Sequence, residues 1–289
     1  MSEIVYLNGS LMPRSQARIS ALDYGFLYGF GLFETMRAYG GQVFRLDRHL
    51  SRLARSAEIL GLPIGALDLK GAVMDTIQAN KLSDARIRIT ISIGEGGMVP
   101  DPSTCKKPTV LILAGHYRPY PEQVYQKGFR AVVSSICRNS QSPLSKLKSA
   151  NYLESILARQ EARGAGVDEA LCLNEKGLLV EASMSNIFLV TGGILKTPGQ
   201  ESGILPGITR ETILELAWQL GINTLEHDIR LDELFHAQEA FLTNSLIEVM
   251  PLTEIDGKPI GSGRPGLITR RLMTAYQRLV HTETGLSER

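Results

Sequence analysis

Residues 116–128 read HYRPYPEQVYQKG, and this stretch limits the fold more than any other. It has two prolines, three tyrosines and no period of 2 or 3.6. Proline fixes φ and removes a backbone donor, so neither a helix nor an interior strand runs through such a segment. The structured runs on either side must therefore fold apart. We expect residues 1–117 as a smaller N-terminal domain, a connector at 118–128, and residues 129–289 as a larger C-terminal domain. A length of 289 residues suits two domains.

Each half mixes strands with helices. IVYLNGSLM carries Asn8-Gly9 between two strand-like runs, a strong hairpin signal, and GLFETMRAYGGQVFRL repeats the arrangement around Gly40-Gly41. LDRHLSRLARSAEILGL reads as a helix with Asp47 as N-cap and an apolar face of Leu50, Leu53, Ala54, Ala57 and Leu60. DLKGAVMDTIQAN reads as a second helix, and 85–93 and 108–115 as strands. GEGGM at 94–98 follows a strand without opening a helix, so it reads as a hairpin turn. Beyond the connector come a strand in FRAVVSSI, a helix at 151–163, strands at 168–173, 178–181 and 186–190, a helix at 209–221, two strands within 239–252, and a helix at 265–282. The fold class is α/β of the mixed α+β kind.

Composition removes several functions. The formal charge is +1, from 31 basic and 30 acidic residues, and gives no electrostatic reason for a nucleic-acid or anionic-membrane partner. No run approaches the roughly 18–20 apolar residues of a membrane span. MSEIVYLNGS has no basic patch followed by an apolar core, so no signal peptide is expected. Cys105, Cys137 and Cys172 form no framework, which suits a reducing cytoplasm. The five histidines make no HExxH-type pair, so no metal is expected.

LSKLKSANYLESIL (144–157) sets two lysines before an amphipathic helix. Asn151 and Glu154 suggest a capping box, with Leu153, Ile156 and Leu157 as the apolar face. Cations are poorly placed at the positive end of a helix, and a partly desolvated lysine there favours its neutral amine. Such an amine condenses with aldehydes. Local physics does not choose between Lys146 and Lys148.

The chain resembles the class IV (fold type IV) family of pyridoxal-phosphate (PLP) enzymes, which includes branched-chain and D-amino-acid aminotransferases and aminodeoxychorismate lyase. The resemblance rests on YGFGLFETMRAYGGQVFRLDRHLSRL, KSANYLESIL through VEASMSNIFLV, GILPGITRE and FLTNSLIEVMPL, in order over nearly the whole chain. It implies a small N-terminal α/β domain, a larger pseudo-barrel domain, PLP between them, and a homodimer or higher homo-oligomer. It selects Lys148 as the Schiff-base lysine and proton carrier. It matches Glu181 to the carboxylate on the pyridine nitrogen, and Arg52, Ile208 and Thr209 to the phosphate site. Leu205 matches the side chain against the ring, and Ser245 a hydroxyl near the phosphate, with Asn244 beside it. Tyr152 is a candidate contact to the cofactor, one residue closer to the lysine than in branched-chain enzymes.

An amino-acid substrate needs a cation for its carboxylate. Arg86 and Arg88 share one strand face, and Arg88 matches the arginine of the branched-chain YIRP motif, here RIRI. Phe33, in the matching LFE, is the expected pocket aromatic. The expected activity is transamination between an amino acid and a 2-oxo acid, with branched-chain L-amino acids first. The alternatives are 4-amino-4-deoxychorismate lyase, which releases 4-aminobenzoate and pyruvate, D-amino-acid transamination, and a non-catalytic PLP-binding protein. TNSLIEVMP departs from the branched-chain SGTAAEITP toward the lyases, and no R-x-H loop of D-amino-acid enzymes is visible in GEGGMVPDP.

Overall fold

A computed structural model describes residues 3–286. The described chain forms two compact units: residues 3–118 with 147–151 and 280–286, and residues 119–146 with 152–279. The Lys148 segment thus belongs to the first unit, although it follows the expected connector. Within that connector, residues 122–127 form a turn of α-helix, led by Pro121 as N-cap. Proline is tolerated there because the first amides of a helix have no internal acceptor.

The first unit is built on a six-stranded antiparallel sheet. Asn8 and Gly9, both at positive φ, turn β1 (Ile4–Leu7) into β2 (Ser10–Pro13). A short helix, α1 (Tyr24–Tyr28), follows, capped by Asp23. Gly40 and Gly41, also at positive φ, turn β3 (Gly31–Tyr39) into β4 (Gln42–Val43). Helices α2 (Leu46–Leu60) and α3 (Leu69–Ala79) precede β5 (Ala85–Ser92) and β6 (Thr109–His116). The sheet order is β2-β1-β6-β5-β3-β4. Ile87, Ile89 and Ile91 alternate onto its covered face and meet Leu53, Ala57, Val73 and Ile77 of α2 and α3. β5 and β6 do pair, but through residues 93–108 rather than a tight turn at 94–98. Tyr24 pins that loop with its hydroxyl, whose one proton lies within hydrogen-bond reach of the carbonyls of Gly97 and Val99.

The second unit opens with α4 (Glu122–Lys127), followed by β7 (Phe129–Arg138), α5 (Leu153–Gly164), β8 (Glu169–Asn174) and β9 (Leu178–Ala182). It continues with β10 (Asn186–Thr191), β11 (Ile194–Pro198), α6 (Ile208–Gln219), β12 (Thr224–His227) and β13 (Ile229–Arg230). Next come α7 (Leu231–Phe235), β14 (Glu239–Asn244), β15 (Glu248–Ile255), β16 (Lys258–Pro259) and α8 (Leu267–Thr284), whose last turn joins the first unit. Its ten-stranded mixed sheet runs β12-β11-β10-β14-β15-β7-β8-β9-β13, with β16 on β15. Packing of β9 against β10 and β11 curls the sheet into a pseudo-barrel.

Three local expectations need correction. The N-cap of α2 is Arg45, in the left-handed region at φ 56°, and Asp47 lies in the first turn. The N-cap of α5 is Tyr152, because the Asn151 side chain turns to the Gly29 carbonyl at 3.1 Å. Leu153, Ile156 and Leu157 of α5 are exposed at 65%, 50% and 39%, and the helix packs through Ser155, Ala158 and Ala162. Small residues let α5 lie close on β7 and β8.

Candidate active site

In the first unit, the lysine segment is held by the free edge of β3. β4 pairs only with Ala38 and Tyr39, which leaves the Gly31–Phe33 end open. There the Phe33 amide donates to the Lys148 carbonyl at 2.9 Å, and the Ala150 amide to the Gly31 carbonyl at 2.8 Å. Leu147 anchors the segment in the core of this unit. The Lys148 amine stands 4.5 Å from the centre of the Phe33 ring. Lys146 sits in a 3₁₀ turn of the other unit, ion-paired at 3.0 Å with the exposed Glu201. The structure thus separates two lysines that the sequence left equivalent.

Arg52 is buried, not solvated. Its guanidinium grips Glu34 through two bonds of 2.7 Å, the fork geometry that arginine offers a carboxylate. His49 completes the cluster, its Nδ1 at 2.8 Å from Glu34. Burial alone would raise the Glu34 pKa, but Arg52 and the bond from His49 overcome it and hold the carboxyl at about 2. Burial pushes the His49 pKa down; Glu34 opposes this, and Arg52 and Lys148 reinforce it. Sequence reading missed Glu34 and His49. Their signal was present: Glu34 is the third letter of LFE, and His49 stands three residues before Arg52, about one helical turn and on the same face.

Phe33, Arg88 and Thr90 share the sheet face opposite the helices. The Arg88 guanidinium lies 3.9 Å from the centre of the Phe33 ring, and its Nε donates to Thr90 at 3.2 Å. Arg86, next on the same face, is exposed. The structure therefore brings Lys148, Phe33 and Arg88 together and leaves Arg86 outside the group.

The second unit carries the remaining candidates. Glu181, next to last in β9, accepts from the Leu205 amide at 3.1 Å and from the Asn186 side chain at 3.3 Å. Arg138 of β7, a residue that sequence reading missed, lies 3.6 Å from Glu181 and donates to Ser155 at 2.8 Å. Burial, and then the charge of Glu181, push the Tyr152 hydroxyl up to about 12, so it stays protonated at any working pH. Asn186 also donates to the Leu205 carbonyl at 2.9 Å, which ties Glu181, Leu205 and the start of α6 into one piece. α6 begins at Ile208 behind Gly207, with no side-chain cap. The first amides of a helix lack internal acceptors and favour an anion. Asn244 is committed to its own turn: its Oδ1 accepts from the amides of Leu246 and Ile247 and its Nδ2 donates to Ser185. Ser245 lies in that turn, between β14 and β15.

The first unit thus offers an amine beside an aromatic ring and a buried arginine, and the second unit, by itself, a carboxylate held by three donor groups and an uncapped helix N-terminus; they are a set by chemistry. Comparison with known proteins gives this set a family. The profile of the family described as amino-transferase class IV matches residues 31–255. The branched-chain-amino-acid aminotransferase of Pseudomonas aeruginosa is 36% identical over 290 residues, covering 97% of this chain and 94% of the relative. The branched-chain aminotransferase of Thermoproteus uzoniensis, solved with norvaline, superposes with a TM-score of 0.90 at 40% identity, covering 100% of this chain and 97% of the other. The T.th. branched-chain amino acid aminotransferase, solved with pyridoxamine 5'-phosphate, gives a TM-score of 0.92 at 32% identity, covering 99% and 96%. This chain belongs to the class IV amino-transferase family, enzymes of fold type IV that work with pyridoxal phosphate.

Proposed function

We propose that this enzyme moves the amino group of branched-chain L-amino acids to a 2-oxo acid, with Lys148 as the reacting amine. The observation that carries the proposal is the Phe33 ring, with the Lys148 amine at 4.5 Å and the Arg88 guanidinium at 3.9 Å from its centre. The two cations are no farther apart than those distances together, a span that one amino-acid substrate bridges. Arg88 then holds a substrate carboxylate while Lys148 Nζ removes the proton from Cα and returns it. Arg86, exposed, serves neither step.

The donor set fits PLP. Lys148 supplies an amine for its aldehyde and Glu181 a carboxylate for its ring nitrogen. Arg52 in the first unit has five N–H donors and gives two to Glu34, and in the second unit the first amides of α6 lack internal acceptors; both are suited to a phosphate. Bound PLP provides an electron-withdrawing ring that stabilises negative charge at the substrate Cα. Leu205 packs against the ring. Tyr152, protonated, offers a hydroxyl donor beside Glu181. Ser245 adds a hydroxyl for the phosphate, while the bonds of Asn244 shape the turn that carries it.

The proposal includes a homo-oligomer, supported by the exposed Phe26, Leu27 and Tyr28 of α1 with Met98 and Val99. It also includes a cytoplasmic setting, which the free Cys105, Cys137 and Cys172 favour. Among the described residues, no helix is long and apolar enough to cross a membrane. The test is a donor screen with 2-oxoglutarate as acceptor. Glutamate formed mole for mole with L-leucine, L-isoleucine or L-valine consumed is the expected result. Use of D-donors alone, or pyruvate release from aminodeoxychorismate without an acceptor, would overturn it.

A further inference from the structure

Asn186 of β10 and Thr243 of β14 are register partners in an antiparallel pair, so their side chains rise from the same face. Phe188 and Phe241 share that face and stack, ring centres 4.9 Å apart. The opposite face, with Ile187, Leu189, Ala240 and Leu242, belongs to the main core of this unit. α6 packs on β14, and its N-cap Gly207 lies so close over Asn186 that a Cβ there would come within 1.9 Å of the Asn186 Oδ1. The Asn186 side chain is thus taken up by Glu181, Leu205 and Gly207.

Thr243 beside it is different. It is 1% exposed, and its Oγ1 is buried without a hydrogen-bond partner. A buried hydroxyl in this condition has lost water and gained nothing in return, and such groups in folded proteins point to a ligand or a functional role. Two features meet here: an uncapped helix N-terminus in which Ile208 and Thr209 are buried, and an unmet hydroxyl on the strand beneath that helix.

We infer that the Thr243 hydroxyl donates a hydrogen bond to the phosphate group received at the N-terminus of α6, making Thr243 a further binding residue for a phosphate monoester. This rests on the PLP reading above. It adds a donor that no motif in FLTNSLIEVMPL singled out, since a threonine inside a strand is ordinarily explained by β-propensity alone.

The experiment compares apo forms of the parent, Thr243→Val and Thr243→Ser by calorimetric titration with PLP, pyridoxal and inorganic phosphate. Valine keeps the shape and removes the hydroxyl. The expected result is an affinity loss of about tenfold for PLP and for inorganic phosphate in Thr243→Val, the size of one hydrogen bond to a charged group. Pyridoxal affinity stays level, and Thr243→Ser remains within about threefold of the parent. If Thr243 is merely a buried hydroxyl, Thr243→Val melts higher than the parent and binds all three ligands equally, which overturns the inference. Should the valine variant fail to fold, Thr243→Ala gives the same comparison. A parent that binds no PLP defeats the cofactor reading, and the inorganic-phosphate titration still decides the role of Thr243.

Discussion

Replacing Glu34 by glutamine should remove the counter-charge of Arg52 without changing the size of the side chain. The carboxyl is fully buried and held at about 2 where an exposed glutamate titrates at 4.5, which favours the folded state by about 3 kcal/mol at neutral pH. Breaking a buried ion pair on one side costs a similar ~3–5 kcal/mol, because the remaining charge is stranded. Both routes therefore predict that Glu34→Gln loses about 3 kcal/mol at pH 7. The pH dependence is the sharper signature. Above 4.5 the carboxyl is ionised folded or unfolded and the stabilisation is complete. As pH falls from 4.5 toward 2 the unfolded chain takes up its proton first, and the stabilisation drains away. The gap between parent and variant should therefore be widest at pH 6–7 and shrink steadily below 4.5. Urea unfolding followed by far-UV circular dichroism measures it; the single tryptophan, Trp218, is in the other unit and reports poorly on this cluster. Equal stabilities at pH 7, or a gap that stays constant from pH 7 to 3, would refute the assignment of Glu34 as the buried partner of Arg52.

Other outcomes follow from the same geometry. Arg88→Ala should lower kcat/KM by about 30–100-fold, chiefly through KM, as expected for loss of a charge-assisted carboxylate contact, whereas Arg86→Ala should stay within about threefold. Steady-state kinetics with L-leucine checks both. Gly207→Ala places a Cβ 1.9 Å from Asn186 Oδ1, so the start of α6 must shift; PLP affinity should fall more than about tenfold and stability by about 1–3 kcal/mol, read by titration and thermal melting. Lys146→Ala breaks only a pair whose side chains are 39% and 91% exposed, and should change stability by less than about 1 kcal/mol and leave activity intact.

Much of the architecture can be read locally. Asn8-Gly9 and Gly40-Gly41 supply the positive φ that tight hairpins need, and the alternation of Ile87, Ile89 and Ile91 marks a strand with one face buried. The features that escaped the sequence depend on distant partners. Arg52 lies off the apolar stripe of α2 and is buried only because Glu34, on a strand 18 residues away, neutralises it. Leu153, Ile156 and Leu157 look like a core face by spacing, yet α5 needs small residues where it meets the sheet. The lysine segment reads as the lead-in to a helix, whereas the open edge of β3 recruits it as a short strand partner. Motif resemblance singles out Lys148, Arg52 and Glu181 as candidates despite this, because the proposed chemistry calls for those residue types whatever their neighbours. It gave no part to Glu34, though LFE contains it, nor to Arg138 and Thr243, which stand out only when made and missing hydrogen bonds are traced.

Lys148 is the proposed reacting amine. Borohydride reduction of the PLP-loaded enzyme, followed by proteolysis and mass spectrometry, locates the lysine that holds the pyridoxyl group. The expected result is a single modified site at Lys148, lost in Lys148→Ala and retained in Lys146→Ala. Modification at Lys146 or elsewhere, or an undiminished yield of label in Lys148→Ala, would contradict it.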